Sequence, residues 1–247
     1  MLDKSYKSAA DAVADIPDSA SIAVGGFGLV GIPAVLIESL REQGATDLTI
    51  ISNNLGTDGF GLGLLLSNGR ISRSIGSYLG TNKEYARQYL AGELTVEFTP
   101  QGTLAERLRA GGAGIPAFYT KAGVGTQLAS GGIPARYNSD GTVAEYSPEK
   151  EVREFDGEEY VLEKGIRADY ALVHAAVADR FGNVVFRKTA QNFNPDAAMS
   201  GKVTIVQAEK VVDAIAPAEV TLPGIYVDRV VGVGPQETGI EFRTVSK

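Results

Sequence analysis

The sequence predicts an α/β fold with an open, mostly parallel sheet, helices on both faces and β-hairpin insertions in the second half. Strand and helix patterns alternate through the first half of the chain, as in βαβ units. Between residues 111 and 165, turn-rich segments replace the helical patterns. We therefore expect a single domain over residues 1–247, with a hairpin-rich part at about 111–165.

A glycine loop connects the first predicted strand and helix. Residues 22–26 form a short apolar run, and Pro33 suits the first turn of a helix over residues 33–43 that ends before Gly44. The loop between them carries glycine at four positions, which are Gly25, Gly26, Gly28 and Gly31. Because glycine lets the backbone pass close to another molecule, we expect a ligand near this loop.

The alternation continues along the chain. Apolar runs predict strands over residues 48–52, 71–78 and 94–98, and helical patterns occur near 62–66, 83–90 and 103–109. Thr103 and Glu106 have the spacing of a capping box, which places the start of the last helix at Thr103.

The second half reads as loop, hairpins and further strands. Residues 111–132 are predicted as loop, and the Asp140-Gly141 and Asp156-Gly157 turns each predict a hairpin. The remaining predicted strands cover residues 170–176, 184–187, 203–207 and 225–231.

Composition excludes several classes of function. The chain has 247 residues and no cysteine, so disulfides, thiolate zinc sites and a cysteine nucleophile are excluded. A net charge of −7 argues against a broad nucleic-acid surface, which needs clustered Lys and Arg.

No membrane or export segment is expected. The uncharged run over residues 19–37 is long enough to span a membrane, but glycines and Pro33 interrupt it, so a core strand and helix explain it better. Residues 1–4 lack the features of a signal peptide, and we expect a cytoplasmic protein.

The glycine loop also fits the G-x-G-x-x-G fingerprint of dinucleotide-binding sites, from Gly26 to Gly31. Two details argue against that alternative. Pro33 would lie inside the helix of such a site, where it forfeits a hydrogen bond. The next strand ends in Asn53-Asn54, where an Asp or Glu should bind the ribose.

Ligands of open α/β sheets gather at the carboxyl ends of the parallel strands. Three clusters follow predicted strands there: Gly25-Gly26-Phe27, Asn53-Asn54, and Thr99 to Gly102. Taken alone, Asn53-Asn54 reads as a turn with self-capping amides, and Gln101 as ordinary loop.

The first segment resembles a signature of the class I coenzyme A transferases. That signature combines an acidic residue (here Asp18), an apolar run, Gly25-Gly26-Phe27 and a later Gly31-Ile32-Pro33, and Ser19 departs from it at a position that is usually Gly or Asn. Further blocks resemble the A half of the members that act on 3-oxoacids: residues 52–54, 60–66, 99–107, 114–120, 150–157, 187–195 and 223–229. The resemblance therefore extends along essentially the whole chain.

The resemblance implies a ping-pong transfer of CoA from succinyl-CoA to a 3-oxoacid such as acetoacetate. A glutamate carboxylate attacks the acyl-CoA thioester and ends as a glutamyl-CoA thioester. That glutamate belongs to the B half, whose block is absent from this sequence, so a B subunit is the implied partner. Coenzyme A enters as a thioester substrate, and no metal or redox cofactor is implied.

By the same resemblance, Gln101 donates to the oxyanion formed on the thioester carbonyl. The loop residues Gly25, Gly26, Phe27, Gly28 and Gly31, together with Asn53 and Asn54, are expected to shape the substrate pocket. The family's Gly-Glu-Asn block reads Gly80-Thr81-Asn82 here, without its acid. Two alternatives stay open: a CoA-thioester hydrolase subunit of the same fold, and a non-catalytic CoA-binding module.

Several other polar residues are interpreted as structural. His174, the single histidine, is expected to be a satisfied strand residue without a carboxylate partner. Arg187, Lys188 and Arg229 are candidate phosphate contacts but read better as surface charge. The same holds for the glutamates at positions 84, 93, 97 and 106.

Overall fold

A computed structural model describes residues 2–80 and 82–236 and confirms the α/β fold. The strands are β1 Ser5–Tyr6, β2 Ser21–Val24, β3 Leu48–Ile51, β4 Ile71–Gly76, β5 Thr95–Phe98, β6 Ala117–Thr120, β7 Pro134–Tyr137, β8 Val143–Tyr146, β9 Val152–Phe155, β10 Glu158–Lys164, β11 Ala168–Asp179, β12 Val184–Val185, β13 Gly201–Val212 and β14 Arg229–Gly232. The helices are α1 Ala9–Val13, α2 Ala34–Gln43, α3 Gly63–Ser67, α4 Lys83–Leu90, α5 Gln101–Gly112, α6 Gln127–Ser130 and α7 Asn194–Ser200.

The central sheet has the strand order β1-β14-β13-β11-β2-β3-β4-β5. These strands pair in parallel, and β12 adds an antiparallel pair to β11. From β2 the chain adds β3, β4 and β5 on one side, and from β11 it adds β13 and β14 on the other. The order therefore reverses between β2 and β11, which is where ligands bind in open α/β sheets.

The register aligns the ends of β2 to β5. Ala23 pairs with Ile51, Ile51 with Ile75, and Ile75 with Glu97. Counting two residues onward in each strand places Asn53 and Ser77 in one row at the carboxyl edge. Side chains that are far apart in the sequence thus meet beside the glycine loop.

Helices cover both faces of the sheet, as predicted. Ile22 and Val24 of β2 belong to the core on the α2 side, whereas Ala23 belongs to the core that contains Leu104 and Leu108 of α5. Successive strand residues alternate between the two cores because side chains along a strand point to opposite faces.

Both predicted hairpins are present. β7 pairs antiparallel with β8 around the Asp140-Gly141 turn, and β9 pairs with β10 around Asp156-Gly157. β6 adds to β10 and completes a three-stranded sheet. The prediction of loop throughout residues 111–132 was therefore wrong, because β6 pairs with a strand that lies far along the chain and α6 begins at a Thr126 cap.

Other boundaries differ from the predictions. β4 ends at Gly76 rather than at residue 78. The last predicted strand begins instead with a 3-10 turn, Gly224–Tyr226, before β14. Helix α7 was not predicted, because it is short and its buried residues include small alanines and polar Asn194.

The predicted capping box at Thr103 and Glu106 does not form. Helix α5 already begins at Gln101, after Pro100, which sits in the N-cap position without a side-chain cap. Thr103 is buried, and Glu106 pairs with Arg109 one turn later. The fixed φ of proline suits the entry to a helix, so Pro100 starts α5 two residues earlier than the box.

The departure at Ser19 is explained by its backbone. Ser19 has a φ of 61°, in the left-handed region that Gly and Asn tolerate best. Its hydroxyl donates to Asp47 at 2.6 Å, and Asp18 accepts from the Thr46 amide at 2.7 Å. Local hydrogen bonds thus hold this turn.

Within the part of the chain that the structure describes, no helix combines the length and apolar character needed to cross a membrane.

Gly25 is required by close packing. A Cβ added there would lie 2.0 Å from Asn194 Oδ1, and Asn194 is fully buried. We expect Gly25→Ala to lower the free energy of unfolding by about 1–3 kcal/mol, because the side chain must displace Asn194. Urea unfolding followed by circular dichroism measures the change.

Gly102 is the matched control. It lies in the first turn of α5, and a Cβ there meets no atom within 4 Å. Gly102→Ala should be neutral or stabilising, by up to about 1 kcal/mol, because alanine loses less backbone entropy. Equal losses for both variants would contradict the packing explanation.

Candidate functional site

Asn53 links three strand ends at the carboxyl edge of the sheet. Its Oδ1 accepts from the backbone amide of Gly28 at 3.2 Å, and its Nδ2 donates to Ser77 Oγ at 2.9 Å and to Gln101 Oε1 at 3.1 Å. The Asn53 residue is only 3% exposed. The structure therefore brings together three of the predicted site residues, Gly28, Asn53 and Gln101, and adds Ser77.

Gln101 is the first residue of α5 rather than part of a preceding loop. Its Oε1 also accepts from Ser77 Oγ at 2.5 Å, so its carbonyl oxygen is fully engaged. Its Nε2 makes no hydrogen bond to any residue within 2–80 and 82–236. A half-buried amide donor is thus left available at the amino terminus of a helix, where partial positive charge favours anions.

The glycine loop packs against the segment that leads into α7. Asn192 Oδ1 accepts from the Gly26 amide at 3.2 Å, and Asn194 Nδ2 donates to the Gly31 carbonyl at 3.0 Å. Asn194 Oδ1 also accepts from the His174 amide at 3.3 Å, which ties the loop to β11. These contacts account for the close approach at Gly25 and Gly31 from within the chain, and contact of the loop with substrate stays a prediction.

Phe27 and Asn54 occupy different settings. Phe27 is 52% exposed, at the tip of the glycine loop. Asn54 is buried, and its Oδ1 accepts from the Gly56 amide at 3.4 Å, a local turn contact. No hydrogen bond joins Asn54 to Asn53, Ser77 or Gln101 among the described residues.

Ser77 and Asn194 were missed as site residues. Ser77 directly follows β4, as Asn53 follows β3, so the same strand-end argument would have found it. The prediction of a strand through residue 78 placed Ser77 inside the strand instead. Asn194 gives no local signal, because its partners Gly31 and His174 lie on other elements.

Glu97 is not the surface charge that the sequence predicted. Its carboxylate binds Arg107 at 2.7 Å and Arg73 at 3.0 Å. Burial alone would raise the pKa of Glu97, but the charge of Arg107 and the hydrogen bonds from Arg107 and Arg73 lower it overall. The carboxylate is thus ionised and fully paired.

Arg107 fastens the helix that carries Gln101. It is 8% exposed, and its Nε donates to the Lys164 carbonyl at 2.9 Å, while its own carbonyl accepts from Ile166 at 2.7 Å. It therefore joins α5 both to β5 and to the end of β10. A cavity of about 530 Å³ beside these ion pairs, between β5 and the hairpins, is lined by none of the predicted site residues.

The other glutamates match the surface interpretation. Glu84 and Glu93 both pair with Arg87, and Glu106 pairs with Arg109. Throughout the described ranges, no Asp or Glu side chain hydrogen-bonds to Asn53, Ser77 or Gln101. No group of three or more metal-binding side chains occurs there either. Thr81, which stands in place of the family's acid, lies outside the described residues.

His174 is a structural residue, but it does have a carboxylate neighbour. Gln207 Oε1 accepts from the Val35 and Leu36 amides at 3.0 and 3.1 Å, so Gln207 Nε2 faces His174 Nδ1 at 2.9 Å as a donor. His174 Nε2 then lies 3.4 Å from Glu209 on the neighbouring strand. Burial lowers the pKa of His174 against the opposing effect of Glu209.

The basic residues considered as phosphate contacts are paired within the chain. Arg187 binds Glu209 at 2.7 Å. Arg229 forms two hydrogen bonds to Asp15, at 2.5 and 2.7 Å, and another to the Ala12 carbonyl at 2.7 Å. Arg229 is therefore a bond between β14 and the α1 region, rather than a free surface charge.

Residues 6–232 match the family described as coenzyme A transferase. The chain belongs to the coenzyme A transferase family. This membership accounts for the glycine loop and for the spacing of the blocks that follow it.

Curated relatives within this family support the assignment. The chain is 60% identical to the A subunit of the probable succinyl-CoA:3-ketoacid coenzyme A transferase of Mycobacterium bovis, with 99% of each chain covered. It is 50% identical to the human mitochondrial succinyl-CoA:3-ketoacid coenzyme A transferase 2, in a match that covers 99% of this chain and 48% of the human one.

A solved transferase has the same fold. The acyl-CoA transferase YdiF of Escherichia coli O157:H7, in a thioester complex with CoA, superposes with a TM-score of 0.79 at 26% identity, and the match covers 96% of this chain and 48% of that one. The chain thus spans about half the length of the human and E. coli transferases.

We predict that Arg107→Met lowers the free energy of unfolding by about 3 kcal/mol. The change leaves Glu97 partly buried with one of its two cations and removes the bond between α5 and β10. Thermal and urea unfolding of the purified chain measure the loss.

Arg109 is the matched control on the same helix. It pairs with Glu106 at 2.7 Å on the surface, so Arg109→Ala should change stability by no more than about 1 kcal/mol. If Arg107→Met is as mild as Arg109→Ala, the anchoring role of Arg107 is wrong.

Proposed function

We propose that this chain is the A subunit of a 3-oxoacid CoA transferase, which moves CoA from succinyl-CoA to a 3-oxoacid such as acetoacetate. The observation that carries the proposal is the Gln101 amide, whose oxygen is engaged by Asn53 and Ser77 while its Nε2 stays available at the start of α5. The printed name of the M. bovis relative supports the substrate class.

In the proposed reaction, a glutamate carboxylate attacks the thioester carbonyl of succinyl-CoA. The carbonyl oxygen becomes an oxyanion, which the Nε2 of Gln101 stabilises by a hydrogen bond. Collapse of this intermediate breaks the carbon–sulfur bond and gives a mixed anhydride and CoA thiolate. The thiolate then attacks the glutamyl carbonyl and releases succinate, which leaves a glutamyl-CoA thioester.

The second half-reaction reverses these steps with the acceptor. The carboxylate of the 3-oxoacid attacks the glutamyl-CoA thioester, and thiolate attack on the new anhydride yields the 3-oxoacyl-CoA and free glutamate. The same oxyanion donor serves both halves, because each passes through a tetrahedral intermediate on a carbonyl.

The nucleophilic glutamate is proposed to lie on a partner B subunit. In the described ranges the Asn53–Ser77–Gln101 cluster has no carboxylate bonded to it, and Glu97 is held by two guanidinium groups. The extra length of the human and E. coli relatives is consistent with a second half that supplies the missing group.

Gln101→Ala should lower turnover of the A/B complex by about a hundredfold or more, because an oxyanion donor is worth on the order of 3 kcal/mol in the transition state. Gln127, an exposed glutamine that also begins a helix, is the matched control, and Gln127→Ala should leave turnover unchanged. Unchanged turnover in the Gln101 variant would remove this residue from the mechanism.

A partner requirement follows from the missing nucleophile. We expect succinyl-CoA and acetoacetate to yield acetoacetyl-CoA, followed by its enolate absorbance, only when this chain is purified with the product of the neighbouring gene. Activity of this chain alone would contradict the half-site. Release of free CoA by the pair, without acetoacetyl-CoA, would favour the hydrolase, and failure to pair would favour a binding module.

A further inference from the structure

A chain of hydrogen bonds with one fixed direction runs from the glycine loop to Gln101. It starts at the backbone N–H of Gly28, which faces Asn53 at 3.2 Å. A backbone N–H can only donate, so the atom of Asn53 that faces it is the carbonyl oxygen. The amino group of Asn53 therefore points the other way, toward β4 and α5.

The direction passes through Asn53 to Gln101. Both hydrogens of the Asn53 amino group are used, one on Ser77 Oγ at 2.9 Å and one on Gln101 at 3.1 Å. The atom of Gln101 that accepts must be its oxygen, since its amino group cannot accept a hydrogen bond.

Ser77 makes the second contact to that oxygen. Its Oγ already accepts from Asn53, so its single proton is free to donate, and Gln101 Oε1 lies at 2.5 Å while the Asn53 carbonyl lies at 3.1 Å. The shorter contact is the one to Gln101. Two donors thus converge on Gln101 Oε1, and a flipped amide would place its amino group against both.

We infer that Ser77 is a positioning residue, which together with Asn53 holds the Gln101 amide so that its Nε2 faces the acyl oxygen. This rests on the proposed role of Gln101 as oxyanion donor. Ser77 itself does not touch the reacting atoms in this account. Its hydroxyl sets which of the two amide atoms Gln101 presents to the substrate.

The backbone of Ser77 is held independently of its hydroxyl. The amides of Ser77 and Tyr78 both donate to the Asn53 carbonyl at 3.1 Å. Ser77→Ala therefore removes the donor to Gln101 while the turn after β4 stays anchored. The variant is suited to separate orientation from folding.

The test is a double-mutant cycle on the A/B complex, with kcat and KM for succinyl-CoA measured for Ser77→Ala, Gln101→Ala and the pair. Ser77→Ala should lower kcat and kcat/KM equally, by about three- to tenfold, since one of two orienting hydrogen bonds is lost. In the Gln101→Ala background the same change should have no further effect. Ser77→Thr, which keeps a hydroxyl, should recover most of the rate.

Ser72 provides a matched control at the opposite end of β4. It is half-buried, and its hydroxyl bonds Asp47 rather than any site residue. Ser72→Ala should leave kcat unchanged. Thermal unfolding of each variant checks that the fold is kept.

Two results would overturn the inference while the proposed function stands. One is a Ser77→Ala loss of equal size with and without Gln101, which would mark a merely structural role. The other is no loss at all in the Ser77 variant of an otherwise intact complex. If instead Gln101→Ala itself has no effect, the oxyanion role of Gln101 fails first, and the positioning role fails with it.

Discussion

The side-chain amide of Asn53 is the interaction on which the candidate site depends. It connects the glycine loop after β2 with the residue after β4 and with the start of α5, through Gly28, Ser77 and Gln101. The parallel register makes this possible, because it aligns the strand ends in one row. Buried polar networks of this kind are rigid when every member is satisfied. In this one, the single amino group left unpaired among the described residues belongs to Gln101.

Two buried side chains support this row from either side. Arg107 fixes α5 to β5 and to the end of β10, and so holds the helix that begins at Gln101. Asn194 fixes the glycine loop to β11 through Gly31 and His174. Both contacts lie beneath the carboxyl edge of the sheet. The edge is thus a rigid platform that carries hydrogen-bond donors, and its chemistry is complete only with a carboxylate from elsewhere.

Local patterns predicted much of the fold. Helix α4 has the predicted bounds, and the Asp-Gly turns gave both hairpins, because these signals act between near neighbours. The strand-end argument placed Asn53 and Gln101 correctly. It missed Ser77 because apolar periodicity does not fix where a strand ends, and it misjudged Glu97 because both of its arginine partners come from other elements. Pairings between distant elements, such as that of His174 with Glu209, leave no trace in local sequence.

The central claim is that this chain supplies the oxyanion donor and another chain supplies the nucleophile. The most direct test is to incubate the A/B complex with succinyl-CoA, quench it in acid before any acceptor is added, and measure the intact mass of both proteins. The account predicts a mass increase equal to bound CoA on the partner and an unmodified mass for this chain. A CoA adduct on this chain would contradict the account, because the nucleophile would then lie here.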